Sequence, residues 1–331
     1  MHAAAINLRG GVSPRGTLLR GQSVIEYVLI IAVIGLVIVF AGPGVAGAIR
    51  NQFNLVGNTV NSGTTGGVEG GGASGGGSTG ADSATVQAAI AKDAKDWTLD
   101  EQKAVAEDIA AKGEASPAYA KAKAAMDAGT KFSMKLTDGK TLEYKIIGIN
   151  HDDLADGSGK AGLTFLTTST GIMSTVNATD TNAGGWEKSE LRAKMNSGEI
   201  WNLMPSDFQS KVKSVKKLTN NVGGGEENKD AAVTATSDKL FLLSYSEIVP
   251  TSNWASRYPW TSSEGTRYEA FKGKVKYNNT GNESLKIGYG WWERSVYPYG
   301  PDNFLNVNSS GRPSDYYIAT YSLCICPAWC F

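Results

Sequence analysis

The sequence predicts an α+β protein in which an N-terminal helix and a glycine-rich tether precede a folded domain of helices and strands. Three observations support this: residues 28–41 form an uninterrupted apolar run, ten of residues 61–80 are glycine, and alternating strand patterns begin after residue 130. The 32 Lys and Arg residues equal the 32 Asp and Glu residues, so charge gives no reason to expect a nucleic-acid partner. The two histidines, His2 and His151, leave little room for histidine-based catalysis or a multi-histidine metal site.

The first 60 residues predict a basic leader followed by a membrane-spanning helix. Residues 1–21 contain three arginines and no acidic residue. The apolar stretch from Val24 to Ile49 is long enough to cross a hydrocarbon layer of about 30 Å. Apolar residues then recur at helical spacing as far as Val60, which predicts a stripe that packs against other helices. Glu26 interrupts the apolar pattern, and a carboxylate there costs roughly 2–3 kcal/mol in lipid.

The string from Arg20 to Tyr27 resembles the processing site of type IV pilins, in particular the small Flp (Tad-type) pilins. The resemblance implies that a prepilin peptidase removes residues 1–21 by cutting after Gly21, so that Gln22 becomes the new N-terminus. It also implies that Glu26 and Tyr27 are assembly residues of a helix over residues 22–60, with the Glu26 carboxylate paired to a neighbouring subunit's α-amino group.

The same resemblance implies partners and a location. The expected partners of the N-terminal helix are other pilin subunits, the prepilin peptidase and, before assembly, the membrane. The precursor is expected in the cytoplasmic membrane, and the assembled protein at the cell surface or in an extracellular pilus.

A tether and a helical segment follow the predicted assembly helix. Residues 61–82 are too rich in glycine and small polar residues to form a core, so they predict a flexible linker. Residues 83–129 predict helices over 98–111 and 116–129, the first opened by a capping box at Thr98. These helices are rich in Ala and Lys, and either packing on the next domain or forming a spacer is compatible with that composition.

Residues 130–331 predict a separate α+β domain. A hairpin is indicated around Asp138-Gly139, because alternating patterns flank this turn signal. The remaining predicted elements are strands at 163–168 and 238–244 and helices near 187–195 and 205–213.

This order of elements resembles a family of bacterial domains of unknown function with a C-type-lectin-like fold. Variable proteins of diversity-generating retroelements share that fold. The residues that carry the resemblance are Trp186, Leu191-Arg192, 239–244, Trp291-Trp292, Arg294-Ser295 and Pro327-Ala328-Trp329. The sequence departs from the usual pattern at Glu293 and Val296, where an apolar residue and a proline are more common.

The segment 297–321 has the composition of a ligand-binding surface. Tyrosine combined with Asn, Ser and Gly gives contact area at low entropic cost and adaptable hydrogen bonds. We expect the residues that contact an unknown protein or carbohydrate to be Glu293, Tyr297, Tyr299, Asp302, Asn303, Asn306, Asn308, Arg312, Asp315, Tyr316, Tyr317 and Tyr321. The alternative is that these are ordinary polar loops and strand exteriors. Trp291, Trp292 and Trp329 are expected in the core.

Two further patterns predict no site. The acidic stretch 150–157 lacks the ligand spacing of a calcium loop and predicts a polar turn. Cys324, Cys326 and Cys330 lack zinc spacing; outside the cell one disulfide and one free thiol are plausible, and both a 326–330 and a 324–330 bridge remain open.

The leading hypothesis is therefore a minor or tip pilin whose lectin-like domain binds a ligand and acts in adhesion. One alternative is a purely structural pilin with a large head and no receptor. A surface-tethered enzyme is less favoured, because the sequence lacks an H-E-x-x-H motif and a paired-carboxylate signature. We expect no catalytic residues, no cofactor and no metal.

Overall fold

In a computed structural model, the described residues are 83–331, and these form a mixed α+β domain. The expectations for the leader, the assembly helix and the linker concern residues 1–82 and lie outside this range. Within residues 83–331, no helix is both long enough and apolar enough to cross a membrane.

Two sheets and a separate hairpin contain the strands. The strands, in chain order, are β1 Lys131–Lys135, β2 Thr141–Ile149, β3 Leu163–Thr167, β4 Met173–Ser174, β5 Val215–Asn220, β6 Val233–Asp238, β7 Trp291–Val296, β8 Asn303–Val307, β9 Asp315–Ile318, β10 Leu323–Cys324 and β11 Ala328–Cys330. The four-stranded sheet has the order β1-β2-β3-β11 and is antiparallel throughout. The five-stranded sheet has the order β4-β10-β7-β8-β9, in which only the β10–β7 pair is parallel, and β5 pairs with β6.

Three helices precede the sheets, and their caps follow the sequence. They are α1 Ser83–Ile90, α2 Leu99–Lys112 and α3 Tyr119–Ala128. The predicted capping box opens α2: Glu101 N donates to Thr98 Oγ1 at 3.2 Å, and Thr98 N donates to Glu101 Oε2 at 2.7 Å. Gly129 ends α3 in a left-handed conformation that glycine adopts without strain.

Helix α2 packs directly against the four-stranded sheet. Gly162, just before β3, lies so close to the helix that an added Cβ would stand 1.8 Å from the Ala106 carbonyl oxygen. The Tyr144 hydroxyl on β2 donates to Gln102 Oε1 on α2 at 3.1 Å. The helix is therefore a layer of the domain rather than a spacer.

Short helices follow, and two of them correct the sequence-based expectations. They are α4 Gly185–Lys188, α5 Glu190–Asn196, α6 Glu199–Leu203, α7 Ser206–Gln209 and α8 Tyr245–Ile248. The helix expected near 187–195 is broken at Ser189, which is extended and caps α5 by accepting a hydrogen bond from Arg192 N at 3.2 Å. The helix expected at 205–213 is shorter than predicted and comprises only α7, Ser206–Gln209.

The expected strand at 238–244 is buried but is not a strand. Asp238 ends β6, and the next residues form only one isolated bridge, between Phe241 and Ala328. Polar side chains take the backbone hydrogen bonds instead: Asn196 Oδ1 accepts from Lys239 N at 2.7 Å, and Arg294 Nη1 donates to the Leu242 carbonyl at 2.7 Å.

Aromatic side chains fill the core between the helices and the four-stranded sheet. The Trp329 ring lies 4.8 Å from Tyr144, 5.1 Å from Phe208 and 5.8 Å from Phe165. Trp291, Trp292 and Trp329 are all buried, which confirms their expected place in the core.

Candidate functional site

The predicted ligand-binding residues gather around the β8–β9 hairpin, at one edge of the five-stranded sheet. Strand β9 is the edge strand, and Tyr316, Tyr317 and Ile318 on it are all exposed. The hairpin register places Phe304 opposite Tyr317 and Leu305 opposite Tyr316. Because β8 is largely buried and β9 is not, the tyrosines project from a fixed support into solvent.

Three tyrosines and one arginine form a continuous surface that we call the tyrosine row: Tyr316, Tyr297, Tyr299 and Arg257. The Tyr316 and Tyr297 rings are stacked at 3.8 Å, and the Tyr297 and Tyr299 rings meet edge-on at 5.7 Å. The Arg257 guanidinium lies 5.5 Å from the centre of the Tyr299 ring. Tyr299 is 41% exposed and Tyr316 is 42% exposed, so the row offers aromatic contact area to a ligand.

Burial raises the pKa of Tyr297 to about 12, and the adjacent Tyr316 hydroxyl adds to the rise. The Tyr297 phenol is therefore neutral at physiological pH and can both donate and accept a hydrogen bond.

The second pair of predicted tyrosines points to the opposite face of β9. Tyr317 stacks on Tyr321 at 4.4 Å, whereas the neighbouring Tyr316 stacks on Tyr297. Adjacent residues of a strand face opposite sides of the sheet, so the predicted residues divide into two patches rather than one.

The polar members of the predicted set have different surroundings. Asn308 shapes the β8–β9 turn, because its Oδ1 accepts hydrogen bonds from Ser310 N at 3.0 Å and Arg312 N at 3.1 Å. The Arg312 Nε donates to Ser314 Oγ at 3.2 Å, and Asn182 Nδ2 donates to the Asn303 carbonyl at 2.8 Å. Asp302 and Asp315 are partly exposed.

Two predicted contact residues are buried, and the expectation is wrong for both. Glu293 on β7 and Asn306 on β8 are fully inaccessible, so neither can touch a ligand on the surface. The side-chain oxygens of Glu293 and both amide atoms of Asn306 have no hydrogen-bond partner among the described residues. Burial raises the pKa of Glu293 well above its usual value, and the nearby Glu264 carboxyl raises it further. Burial therefore favours the protonated form of Glu293.

Two residues of this surface, Arg257 and Trp254, were not predicted. They come from a loop far from β9 in the sequence, and the buried Tyr258 of the same loop packs edge-on against Tyr299 at 5.2 Å. The Trp254 ring lies 6.2 Å from Tyr297. The only available signal was the high aromatic content of this loop, which does not show what it packs against.

The residues that carry the lectin-like resemblance hold the interior together. Asp238 is fully buried, and it accepts hydrogen bonds from Trp186 Nε1 at 2.9 Å and Arg192 Nε at 2.6 Å. The Ser295 hydroxyl donates to Glu264 Oε2 at 2.5 Å. These contacts make the motif residues structural rather than ligand-facing.

A buried chain of alternating charges connects Lys217 on β5 to Arg294 on β7. Lys217 Nζ is 2.6 Å from both Asp152 Oδ1 and Glu247 Oε1, and Arg294 Nη1 is 2.6 Å from Glu247 Oε2. Burial alone would raise the pKa of Asp152, but the Lys217 and His151 charges, together with hydrogen bonds from Lys217 and Thr164, lower that pKa to about 2. The two anions and two cations compensate one another inside the fold.

A polar cavity of about 250 Å³ opens beside this chain of charges. Its wall includes His151, Lys160, Lys216 and Thr266. His151 Nδ1 lies 3.1 Å from Glu269 Oε2, and its Nε2 lies 3.1 Å from the Thr266 carbonyl oxygen. Because both ring nitrogens face oxygen acceptors, the doubly protonated imidazolium fits the geometry.

The carboxylates that line this cavity are held in ion pairs: Asp152 and Glu247 with Lys217, and Asp153 with Lys160. Burial alone would lower the pKa of His151, but its hydrogen bond to Glu269 and the Asp152 charge raise it. Within the described range, no cluster of three or more His, Cys, Asp or Glu side chains is placed to hold a metal ion.

All three cysteines are free and buried, so neither of the two bridges left open by the sequence is formed. Burial raises the pKa of Cys324 to about 11 and raises that of Cys330 well above its usual value. Cys330 Sγ lies 3.4 Å from Thr164 Oγ1 in the interior. Such protonated, inaccessible thiols are poor nucleophiles.

The fold defines a mixed α+β domain of two sheets with a tyrosine-rich edge. Residues 161–330, just over half of the chain, match a family described as a domain of unknown function (DUF6273), and the chain belongs to this family. The helices α1–α3 and the hairpin β1–β2 precede the matched residues. No curated protein and no solved structure matches the chain at a significant level.

Proposed function

We propose that this protein is a pilin-like surface subunit, a minor or tip pilin, that displays a ligand-binding domain for adhesion. The exposed tyrosine row is the observation that carries the binding part of this proposal. The N-terminal string Gly21 to Tyr27 carries the pilin part, through its resemblance to the Flp-type processing site. In this proposal Gly21 and Gln22 flank the peptidase cut, and Glu26 and Tyr27 act in assembly with other subunits.

The proposed fold of the displayed domain is C-type-lectin-like. The motif residues behind that resemblance converge on shared buried partners, as expected if they define the framework of the domain. Trp186 and Arg192 meet at Asp238, and Arg294 meets Glu247. A framework of this kind leaves the edge at β9 available for variation without disturbing the core.

The tyrosine row suits a ligand that presents a flat apolar face edged by polar groups. A sugar ring or a protein side chain can pack on the exposed Tyr299 and Tyr316 rings. The Arg257 guanidinium and the Tyr297 hydroxyl then supply hydrogen bonds at the margin of the contact. Rigid aromatic side chains lose little conformational entropy on binding, which favours them as contact residues.

The proposal is tested with the full-length protein on a printed glycan array and a panel of immobilised proteins. Tyr299→Ala and Tyr316→Ala should weaken binding about 30-fold or more if these tyrosines are central contacts. The matched control is Tyr289→Ala, because Tyr289 is similarly exposed, at 45%, and lies outside the row. All three variants should unfold within about 1 kcal/mol of the parent protein.

Two outcomes would contradict the binding proposal. One is that the parent protein binds nothing on either surface, which would favour a structural subunit without a receptor. The other is that Tyr289→Ala weakens binding as strongly as Tyr299→Ala, because the contact would then lie elsewhere.

A further inference from the structure

A second, much smaller cavity lies between β2, β3 and the segment that leads into β7. Its volume is about 30 Å³, and its lining includes Lys145, Thr168, Ser284, Phe271 and Trp291. By the usual measure this is room for one or two water-sized species and not for an organic ligand. None of these five residues belongs to the tyrosine row or lines the His151 cavity.

Two hydroxyl groups at this cavity lack hydrogen-bond partners. Thr168 Oγ1 and Ser284 Oγ are both inaccessible to solvent, and neither contacts a donor or acceptor within the described part of the chain. A buried hydroxyl left in this state destabilises the folded protein. Two such groups at one small cavity indicate that a species within it forms hydrogen bonds with them.

Lys145 adds a positive charge at the same place. Its ammonium group makes only a long hydrogen bond, 3.4 Å, to the Ser284 carbonyl, and among residues 83–331 no carboxylate lies within ion-pair distance of it. The neighbouring acidic groups are already engaged, since Glu143 pairs with Lys131 and Glu283 pairs with Lys286. Burial lowers the pKa of Lys145, and the nearby Lys274 charge lowers it further. The ammonium form therefore lacks the counter-charge that a largely buried cation requires.

We propose that this cavity binds one small monovalent anion of the size and charge of chloride. An anion accepts hydrogen bonds from both hydroxyls and neutralises the Lys145 ammonium at once. A water molecule can satisfy the hydroxyls but leaves the charge uncompensated. The small volume excludes carboxylate-bearing metabolites, and the apolar rings of Phe271 and Trp291 strengthen the electrostatic attraction by excluding solvent.

The anion would act as a structural link. Lys145 belongs to the four-stranded sheet, whereas Trp291 begins the central strand of the five-stranded sheet. Ser284 belongs to a short 3₁₀ helix, Glu283–Leu285, which precedes Trp291 in the chain. Binding at their junction would stabilise the folded state by mass action and would depend on the chloride concentration.

The test measures thermal unfolding of the full-length protein while chloride replaces gluconate at constant ionic strength. The melting temperature should rise with the logarithm of the chloride concentration once the site is occupied. The expected rise is about 3 °C when the chloride concentration is tenfold above the dissociation constant. In parallel, ³⁵Cl NMR lines should broaden in the presence of the protein. Lys145→Met should abolish both effects, and Thr168→Val and Ser284→Ala should each weaken them at least severalfold.

The matched control is Lys135→Met, which removes a lysine of the neighbouring strand β1 whose side chain is exposed. This variant should retain the full chloride response. A melting temperature that is the same in chloride and gluconate would overturn the proposal, as would a response equally strong in the Thr168→Val and Lys135→Met proteins. Crystals soaked in sodium bromide give an independent answer: an anomalous peak between Lys145 and Ser284 supports the site, and a water there refutes it.

Discussion

At the scale of single residues, the Lys217 ammonium group neutralises two buried carboxylates. It lies 2.6 Å from both Asp152 and Glu247, and all three side chains are almost completely inaccessible. Removing one member of a buried ion-pair network leaves the partner charges uncompensated, which costs far more than the network contributes as a whole. The stability lost on such a substitution therefore reflects the cost of leaving buried charges unpaired, and not the strength of one salt bridge.

Lys217→Met should reduce the free energy of unfolding by about 3–5 kcal/mol, since Asp152 and Glu247 lose their shared cation. Lys216→Met is the matched control, because Lys216 is adjacent on β5 and its side chain is exposed. That control should change stability by no more than about 0.5 kcal/mol. Both values come from urea denaturation at pH 7, and equal effects in the two variants would refute the buried network.

Glu293 predicts an unusual dependence of stability on pH. The folded state raises the pKa of this carboxyl well above the value of about 4.3 expected in the unfolded chain. The contribution of Glu293 to stability is therefore fully present below pH 4.3 and is lost as the pH rises toward the folded-state pKa. At neutral pH the residue destabilises the fold.

Glu293→Met should therefore unfold at higher denaturant concentration than the parent protein at pH 7. The advantage should shrink as the pH falls toward 4.5, with a slope of at most about 1.4 kcal/mol per pH unit. Denaturation curves of both proteins between pH 4.5 and 8 provide the measurement. A stability difference that does not change with pH would show that Glu293 ionises normally in the folded protein.

At the scale of secondary-structure elements, the close approach of α2 to β3 depends on a residue without a side chain. An added Cβ at Gly162 would stand 1.8 Å from the Ala106 carbonyl oxygen, so the helix or the strand would have to move. Backbone carbonyls cannot rotate away as side chains can, and such overpacking commonly costs 1–3 kcal/mol or more.

Gly162→Ala should lower the free energy of unfolding by about 3 kcal/mol. Gly171→Ala is the control, because an added Cβ at Gly171 meets nothing within 4 Å. The control should be neutral or slightly stabilising, since alanine restricts the unfolded chain more than glycine does. If the two variants were equally stable in thermal denaturation, α2 would not pack on the sheet as described.

Elements whose signals are local could be predicted from the sequence. The capping box at Thr98 and the hairpin at Asp138-Gly139 were both found, because each depends on residues within a few positions of one another. The break at Ser189 and the irregular backbone after Asp238 were missed. The break at Ser189 is a local cap, in which Ser189 Oγ accepts a hydrogen bond from Arg192 N. The backbone after Asp238 is held by Asn196, which accepts from Lys239 N, and by Arg294, which donates to the Leu242 carbonyl, and both residues are distant in sequence from that segment.

The sequence predicts which residue types the candidate site contains, but not how they are arranged in space. Four tyrosines that the sequence places on a contact surface are exposed: Tyr299, Tyr316, Tyr317 and Tyr321. Their division between two faces follows from the register of β9, and the burial of Glu293 follows from the packing of β7. Arg257 joins the surface through tertiary contacts alone, so no local pattern could have identified it.

At the scale of the whole molecule, we propose a chain in which a processed assembly helix carries an independently folded domain. The described hydrophobic core uses residues from Val86 to Phe331, so the domain has an interior of its own. Glu26→Ala should therefore block incorporation into filaments without changing the melting temperature of the domain. Glu69→Ala in the predicted linker is the control and should assemble normally. Normal assembly of the Glu26→Ala protein would contradict the pilin assignment.

The most direct test of the central claim is the N-terminus of the protein taken from native cells. Intact-mass and N-terminal analysis of the filament fraction sheared from the cell surface should find a chain that begins at Gln22. That result would establish processing after Gly21 and export to a filament. A chain that still begins at Met1, or that is cut at another position, would contradict the claim that this domain is displayed by a pilin.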